Sequence, residues 1–352
     1  MLRGLFILLC CCWAGTAAAD VLRVALFNAE LHRKGPGLLL RDIATGEDVQ
    51  VAAVADLLLQ ADADALLLLR FDWDADSAAL AAFAGVLQAR GLTYPHRVAL
   101  RPNTGLDSGQ DLDGDGLLRG PRDAQGYGLF SGQNGMALLS RLPIDETSIQ
   151  NLSGLLWSDL PGAQLPVTSD GTPFPSAAAQ AARRLSSVGH WDVPLVLPDG
   201  GRLHLLAFHA SPPVFDGPED ANGLRNADEL RLWQRYLDGA LPMAPPTAPV
   251  VVIGSGNIDP MRGEGRRGAI RDLLDDPRLR DTLPLGDPKQ NLPVAEATVD
   301  WQGITDPAHL RVDYVLPDAA LRVLGSGILW PPPAARPDLL RHGLVWVDLA
   351  LP

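Results

Sequence analysis

The amino-acid sequence predicts an α/β protein, and three observations carry that prediction. Strand and helix patterns alternate through the first part of the chain that follows an N-terminal leader. The run "DALLLLRFDWD" is apolar without alternation, as expected of a strand covered on both faces. Polar and charged residues recur at the C-terminal ends of successive apolar runs, where the sites of α/β sheets gather.

The leader is "MLRGLFILLCCCWAGTAAAD". Arg3 supplies a positive start, residues 5–13 a short apolar core, and Ala17, Ala18 and Ala19 a small-residue cleavage signal. This is the pattern of a secretory signal peptide over residues 1–19, too short to span a bilayer. It predicts a secreted or periplasmic mature chain, with residues 20–352 as one domain. Cys10, Cys11 and Cys12 all lie in the leader, so the mature chain has neither disulfides nor thiolate ligands. No other stretch is long and apolar enough to cross a membrane.

"VLRVALFNAEL" reads as the first strand. "VQVAAVADLLLQADA" has helical spacing, and "SAALAAFAGVLQARG" is a second helix stopped by Gly91. Residues 101–132, rich in Gly and Asp, read as a long loop. "NGMALLSRLPI" is a strand, and residues 160–180, rich in Pro, Ser and Ala, read as an exposed excursion. "HWDVPLVLPDGGRLHLLAFHA" is a hairpin turning at Pro198–Gly201. "ANGLRNADELRLWQRYLDGA" is an amphipathic helix and "APVVVIGSGN" a strand. "LRVDYVLP" and "HGLVWVDLAL" are the last clear strands.

Without Arg3 the chain carries 28 basic against 42 acidic residues, and only Lys34 and Lys289 are lysines. An acidic surface repels phosphate backbones, which disfavours duplex nucleic acid as a partner unless positive charge is gathered locally.

The polar residues at the strand ends are Asn28 and Glu30, Arg70, His209, Asn257, Asp313 and His342. The order of "RVALFNAEL", "LLLLRFD", "GQNGMALLSRLPI", "LLAFHASPPVFDGPEDANGLRN", "VIGSGNIDP", "LRVDYVLP" and "HGLVWVDL" resembles the endonuclease/exonuclease/phosphatase family, in particular a secreted bacterial branch of it. The resemblance implies a four-layered sandwich of two mixed β-sheets flanked by helices. It also implies Mg²⁺-dependent phosphoester hydrolysis, in which the ion neutralises phosphate charge and water attacks in line. Such an ion wants hard oxygen ligands. The family pattern supplies an acid at the end of the second strand, another in a Gly-Asp-x-Asn turn, and a third in an Asp-His pair.

At these three positions the sequence has Arg70, Ser255 and Arg341, whereas Asn28, Glu30, His209, Asn257, Asp313 and His342 match. The substitutions predict a degenerate catalytic site that resists Mg²⁺. Two alternatives stay open: an active phosphoesterase with rearranged ligands drawn from Glu30, Asp259 and Asp313, or a metal-free module that binds phosphate or another small oxyanion. Separately, "DLDGDG" places Asp111, Asp113 and Asp115 in the spacing of a calcium loop, with Asp107 or Asp123 able to complete it. Arg122 at the twelfth position excludes a standard EF-hand.

Overall fold

The computed structural model describes residues 21–290, 292–335 and 340–351. The expected signal peptide and its three cysteines lie outside them. The first half contains β1 (Val21–Asn28), α1 (Leu38–Thr45), α2 (Val49–Ala61), β2 (Ala65–Phe71), α3 (Ala78–Ala89), β3 (His96–Val98) and β4 (Gly135–Ser140). Next come β5 (Gln150–Asn151), α4 (Ala177–Ala182), β6 (Gly189–Val196), β7 (Arg202–His209), α5 (Ala221–Leu237), β8 (Val250–Ser255) and α6 (Gly268–Leu274). The chain ends with β9 (Val299–Asp300), β10 (His309–Leu310), β11 (Asp313–Pro317), β12 (Val323–Leu329) and β13 (Leu344–Ala350).

Two large sheets form, in the orders β12-β13-β1-β2-β4-β3 and β11-β8-β7-β6-β5, and β9 pairs with β10 in a small third one. Each has one parallel pair near its middle, β1 with β2 and β7 with β8, and is otherwise antiparallel. The alternating side chains of β1 explain its place. Leu22, Val24 and Leu26 join the core between the sheets, with Leu67, Leu138, Trp191, Leu205 and Ile253. Ala25 and Phe27 face the other way, into a core shared with α1, α2 and α3. On the far side Leu206, Phe208 and Val252 pack under α5 and α6, against Leu230, Trp233 and Ile270. Helices, sheet, sheet, helices are the four layers, and burial on both faces is why the central strands read as unbroken apolar runs.

Three details differ from the sequence expectation. A short helix, α1, precedes α2; its buried Leu39 and Ile43 are one turn apart, but Gly37 and Gly46 bound it closely. Edge strand β12 lies between the two last expected strands, its apolar run broken by Gly325 and Gly327. Residues 160–180 are mostly exposed, as expected, but they hold the buried Leu160 and Ala179 and the start of α4.

Helix α5 ties the second sheet to its loops through buried polar groups. Asn226 Nδ2 donates to the carbonyls of Ser211 and Gly256 at 2.6 and 2.7 Å. Glu229 accepts from the Ser187 and Ser211 amides and from Ser211 Oγ. Arg225 donates to the carbonyls of Gln125, Arg184, Leu185 and Ser186. These bonds satisfy loop backbone that no strand pairs.

The Gly254–Asn257 turn begins with a glycine because β7 approaches closely there. A Cβ at Gly254 would stand 2.0 Å from the Phe208 carbonyl oxygen, whereas one at Gly256 would meet only side chains, at 3.3 Å. Gly254→Ala should therefore destabilise the fold by about 3 kcal/mol, and Gly256→Ala by clearly less. Urea unfolding of both variants checks this; equal costs would mean that strand proximity does not decide the residue.

Candidate functional site

The sheet topology gathers one set of strand ends. Parallel strands β1 and β2 finish together at Asn28 and Arg70, and β7 and β8 at His209 and Ser255. The antiparallel neighbours β13 and β11 start at that same edge. Asp313 pairs with Ser255, and His342 lies two residues before β13. Five of these strands thus bring polar residues to one cavity of about 1350 Å³, whose lining includes Asn28, Glu30, Arg70, His209, Asn257, Arg341 and His342, while Asp313 of β11 stands behind it on His342.

The backbone around it is unusual. Glu30, Arg70, Asn134 and Asn257 all have left-handed φ values, of 50°, 55°, 54° and 50°. Each costs on the order of 1 kcal/mol or more for a residue with a side chain, and such conformations cluster where side chains must be aimed.

Glu30 is the electrostatic centre. Its Oε1 lies 3.6 Å from Arg70 Nη1 and 4.0 Å from Arg341 Nη1, and its Oε2 accepts from the Arg341 amide at 3.3 Å. One carboxylate therefore faces two guanidiniums. Arg70 is steadied further by Asn134 Oδ1, which accepts from its Nε at 3.3 Å, and by His32 Nε2, 3.3 Å from its Nη2. Burial pushes the Arg70 pKa down, with Glu30 opposing and Arg341 adding to the depression.

A second group is a buried relay. Asp313 Oδ2 bonds His342 Nδ1 at 2.7 Å, and His342 Nε2 lies 3.2 Å from Asn28 Nδ2. With Asp313 ionised, His342 carries its proton on Nδ1, and its Nε2 lone pair accepts from the Asn28 amide. Asn28 Oδ1, Asp313 Oδ1 and His209 Nδ1 are buried without hydrogen-bond partners. Burial pushes the His209 pKa down to about 3, with Arg70 adding to the effect, so this imidazole is neutral at ordinary pH.

The other expected residues are bonded differently, although Asn257, Asp259 and Asp113 also line the cavity. Ser255 does not line the cavity: its side chain is fully buried and its hydroxyl donates to the Val312 carbonyl at 3.3 Å. Asn257 Nδ2 donates to the Ala210 carbonyl. Asp259 accepts from the amides of Met261, Arg262 and Arg311, so its carboxylate organises a loop. Glu30, Asp259 and Asp313 do not converge as a rearranged ligand set. The only cluster of three His, Cys, Asp or Glu ligands among the described residues is Asp111, Asp113 and Asp115, whose carboxylate oxygens lie within 4.8 Å of one another. Asp123 and Asp107 are outside it. The former accepts from the Leu112 and Gly120 amides, the latter from the Gly109 amide. The sequence reading missed His32, Asn134 and Arg183, all in the cavity lining. His32 follows Glu30 closely, and Asn134-Gly135 is a dipeptide that favours positive φ.

The profile of the Endonuclease/Exonuclease/phosphatase family matches residues 27–345. The chain belongs to that family. Its fold is shared by an endonuclease/exonuclease/phosphatase from Beutenbergia cavernae DSM 12333, at TM-score 0.56 and 18% identity, covering 94% of this chain and 72% of that one. A family protein from Leptotrichia buccalis C-1013-b superposes at 0.51 with 13% identity, covering 94% and 100%. One from Bacteroides vulgatus superposes at 0.51 with 11% identity, covering 95% and 100%. At these identities the likeness concerns the fold alone. No curated protein matches the sequence.

Histidine burial gives this family member a pH signature. His190 and His209 are held at about 3, chiefly by burial, and His32 at about 4, by burial and then Arg70, against an ordinary 6.5. Below pH 6.5 the unfolded chain takes up protons that the folded chain refuses. Stability is therefore complete above 6.5 and falls as pH drops towards 4, by about 1.4 kcal/mol per pH unit for each histidine. Asp72, raised to about 6 by burial from 3.8, binds its proton first in the folded state and offsets about one histidine in that window. Urea unfolding across this range should show the loss, and His209→Gln should flatten the slope by about one proton. An unchanged slope would contradict the assignment.

Proposed function

We propose that the cavity binds phosphate or a similar small oxyanion directly, without a divalent cation, and that hydrolysis at the rates usual for the family has been lost. The observation that carries this reading is the placement of Arg70 and Arg341 on one carboxylate atom of Glu30, at 3.6 and 4.0 Å. A dication held by Glu30 would sit within a few ångströms of both guanidiniums, at a repulsion of about 7 kcal/mol each at 5 Å and an effective dielectric near 20. The residues present do not fit Mg²⁺. They do fit an anion: one carboxylate under two cations leaves a net positive floor, and guanidinium forks match phosphate oxygens. His342 adds to the reading, because the Asn28 amide caps the lone pair that would otherwise take a proton from water. A small phosphoester, rather than duplex nucleic acid, is the ligand class that suits so acidic a chain, which we read as exported.

Calorimetric titration with inorganic phosphate in chelator should give binding that Arg70→Ala/Arg341→Ala abolishes, and a screen of phosphoesters with added Mg²⁺ should give no turnover. Absence of phosphate binding, or Mg²⁺-dependent hydrolysis that His209→Ala removes, would overturn the reading.

A distinct cation role is favoured for the Asp111–Asp115 loop by the convergence of its carboxylates within 4.8 Å. Calcium suits such a group of hard oxygens, relieves their mutual repulsion and should raise Tm by mass action. Asp111→Asn/Asp113→Asn should remove that shift; a full shift in the variant would put the ion elsewhere.

A further inference from the structure

The cavity is larger than one phosphate needs. Pockets for organic ligands run to about 300–1,000 Å³, and this one holds about 1350 Å³. Its other arginines, Arg122, Arg183, Arg225 and Arg262, differ in how their charge is met; Arg122 is exposed, so water meets its charge. Arg262 pairs with Glu296 at 2.8 Å. Arg225 forms no ion pair among the described residues but donates to four carbonyls, whose dipoles oppose its charge.

Arg183, at the end of α4, has neither kind of compensation. It forms no ion pair among the described residues, and its Nε is buried with no hydrogen-bond partner. A long contact of Nη1 with the Leu112 carbonyl, at 3.5 Å, is the one side-chain hydrogen bond it makes among the described residues, and its guanidinium lies 5.9 Å from the Trp157 ring. The carboxylates whose fields reach it are Glu229, whose oxygens already serve Ser187 and Ser211, and Asp113 on the facing loop. Burial pushes its pKa down to about 9, and the Arg225 charge adds to that. A half-buried cation at a cavity wall with open donors is a strong attractor for an anion.

We infer that the cavity has two anion subsites, Arg70 with Arg341 forming one and Arg183 the second, so that its ligand is an organic molecule bearing two separated anionic groups, such as a bisphosphate. The spacer has an apolar lining to lie on, from Leu112, Phe174 and Val188. This rests on the reading of Arg70 and Arg341 as an oxyanion site and adds the class of ligand that the site takes.

The test is calorimetric titration in chelator with inorganic phosphate, hexyl phosphate and hexane-1,6-diyl bisphosphate. The native protein should bind the bisphosphate about tenfold or more tighter than hexyl phosphate. Arg183→Gln should reduce that ratio to near one. Arg183→Lys, which keeps the charge, should retain most of the preference; it serves also if the glutamine variant fails to fold. Each preference is a ratio within one protein, so partial loss of stability does not imitate it. Equal affinity of the native protein for the two esters, or a preference that survives Arg183→Gln, would overturn the second subsite. Loss of inorganic phosphate binding with an Arg183-dependent bisphosphate signal would instead overturn the first subsite alone. Failure of all three ligands to bind would overturn both.

Discussion

Everything at the site depends on one packing constraint. Two sheets bury their inner faces against each other, and each carries a parallel pair at its centre. Parallel strands end on the same side, and their antiparallel neighbours begin there. Asn28, Arg70, His209, Asp313 and His342, far apart in sequence, therefore arrive at one edge without any loop being asked to place them. The cores on both sides of each sheet hold that edge in position. The cavity is in this sense a by-product of β-sheet direction, and its chemistry is decided by which side chains stand at the strand ends.

Within that frame, charge sets the character of the cavity. Glu30 is the shared counterion of Arg70 and Arg341, and neither arginine has a second carboxylate within 4.0 Å among the described residues. Nearby titratable groups follow from this excess. His32 and His209 are held neutral by burial and by Arg70. Burial is the larger cause and Arg70 adds to it, so these two imidazoles offer neutral hydrogen-bonding atoms beside the guanidiniums.

Much of the fold was legible in the sequence because burial on both faces writes itself as continuous apolar runs. Strands β1, β2, β4, β6, β7 and β8 were readable for that reason, and helices α2, α3 and α5 from their helical spacing. Edge strand β12 was not, because a strand with one buried face and two glycines carries too weak a period. The strand-end residues could be named from sequence, yet their orientation could not. Ser255 is fully buried, its hydroxyl on the Val312 carbonyl, and that partner comes from a segment far along the chain. Arg183 was invisible for another reason. The wall that holds it is built from side-chain to backbone bonds within long loops, and such bonds have no sequence period.

The four left-handed residues around the cavity bear on how such a site changes over time. Asn134 and Asn257 have some preference of their own for this twist, but Glu30 and Arg70 have none, so at those two the surrounding fold imposes it. A mould imposed from outside does not need a particular side chain to keep its shape. An acid and an arginine can then be exchanged at the same spot without a change of backbone, and the new group inherits a direction already aimed at the cavity. Selection could rewrite the electrical sign of this pocket without first rebuilding its walls.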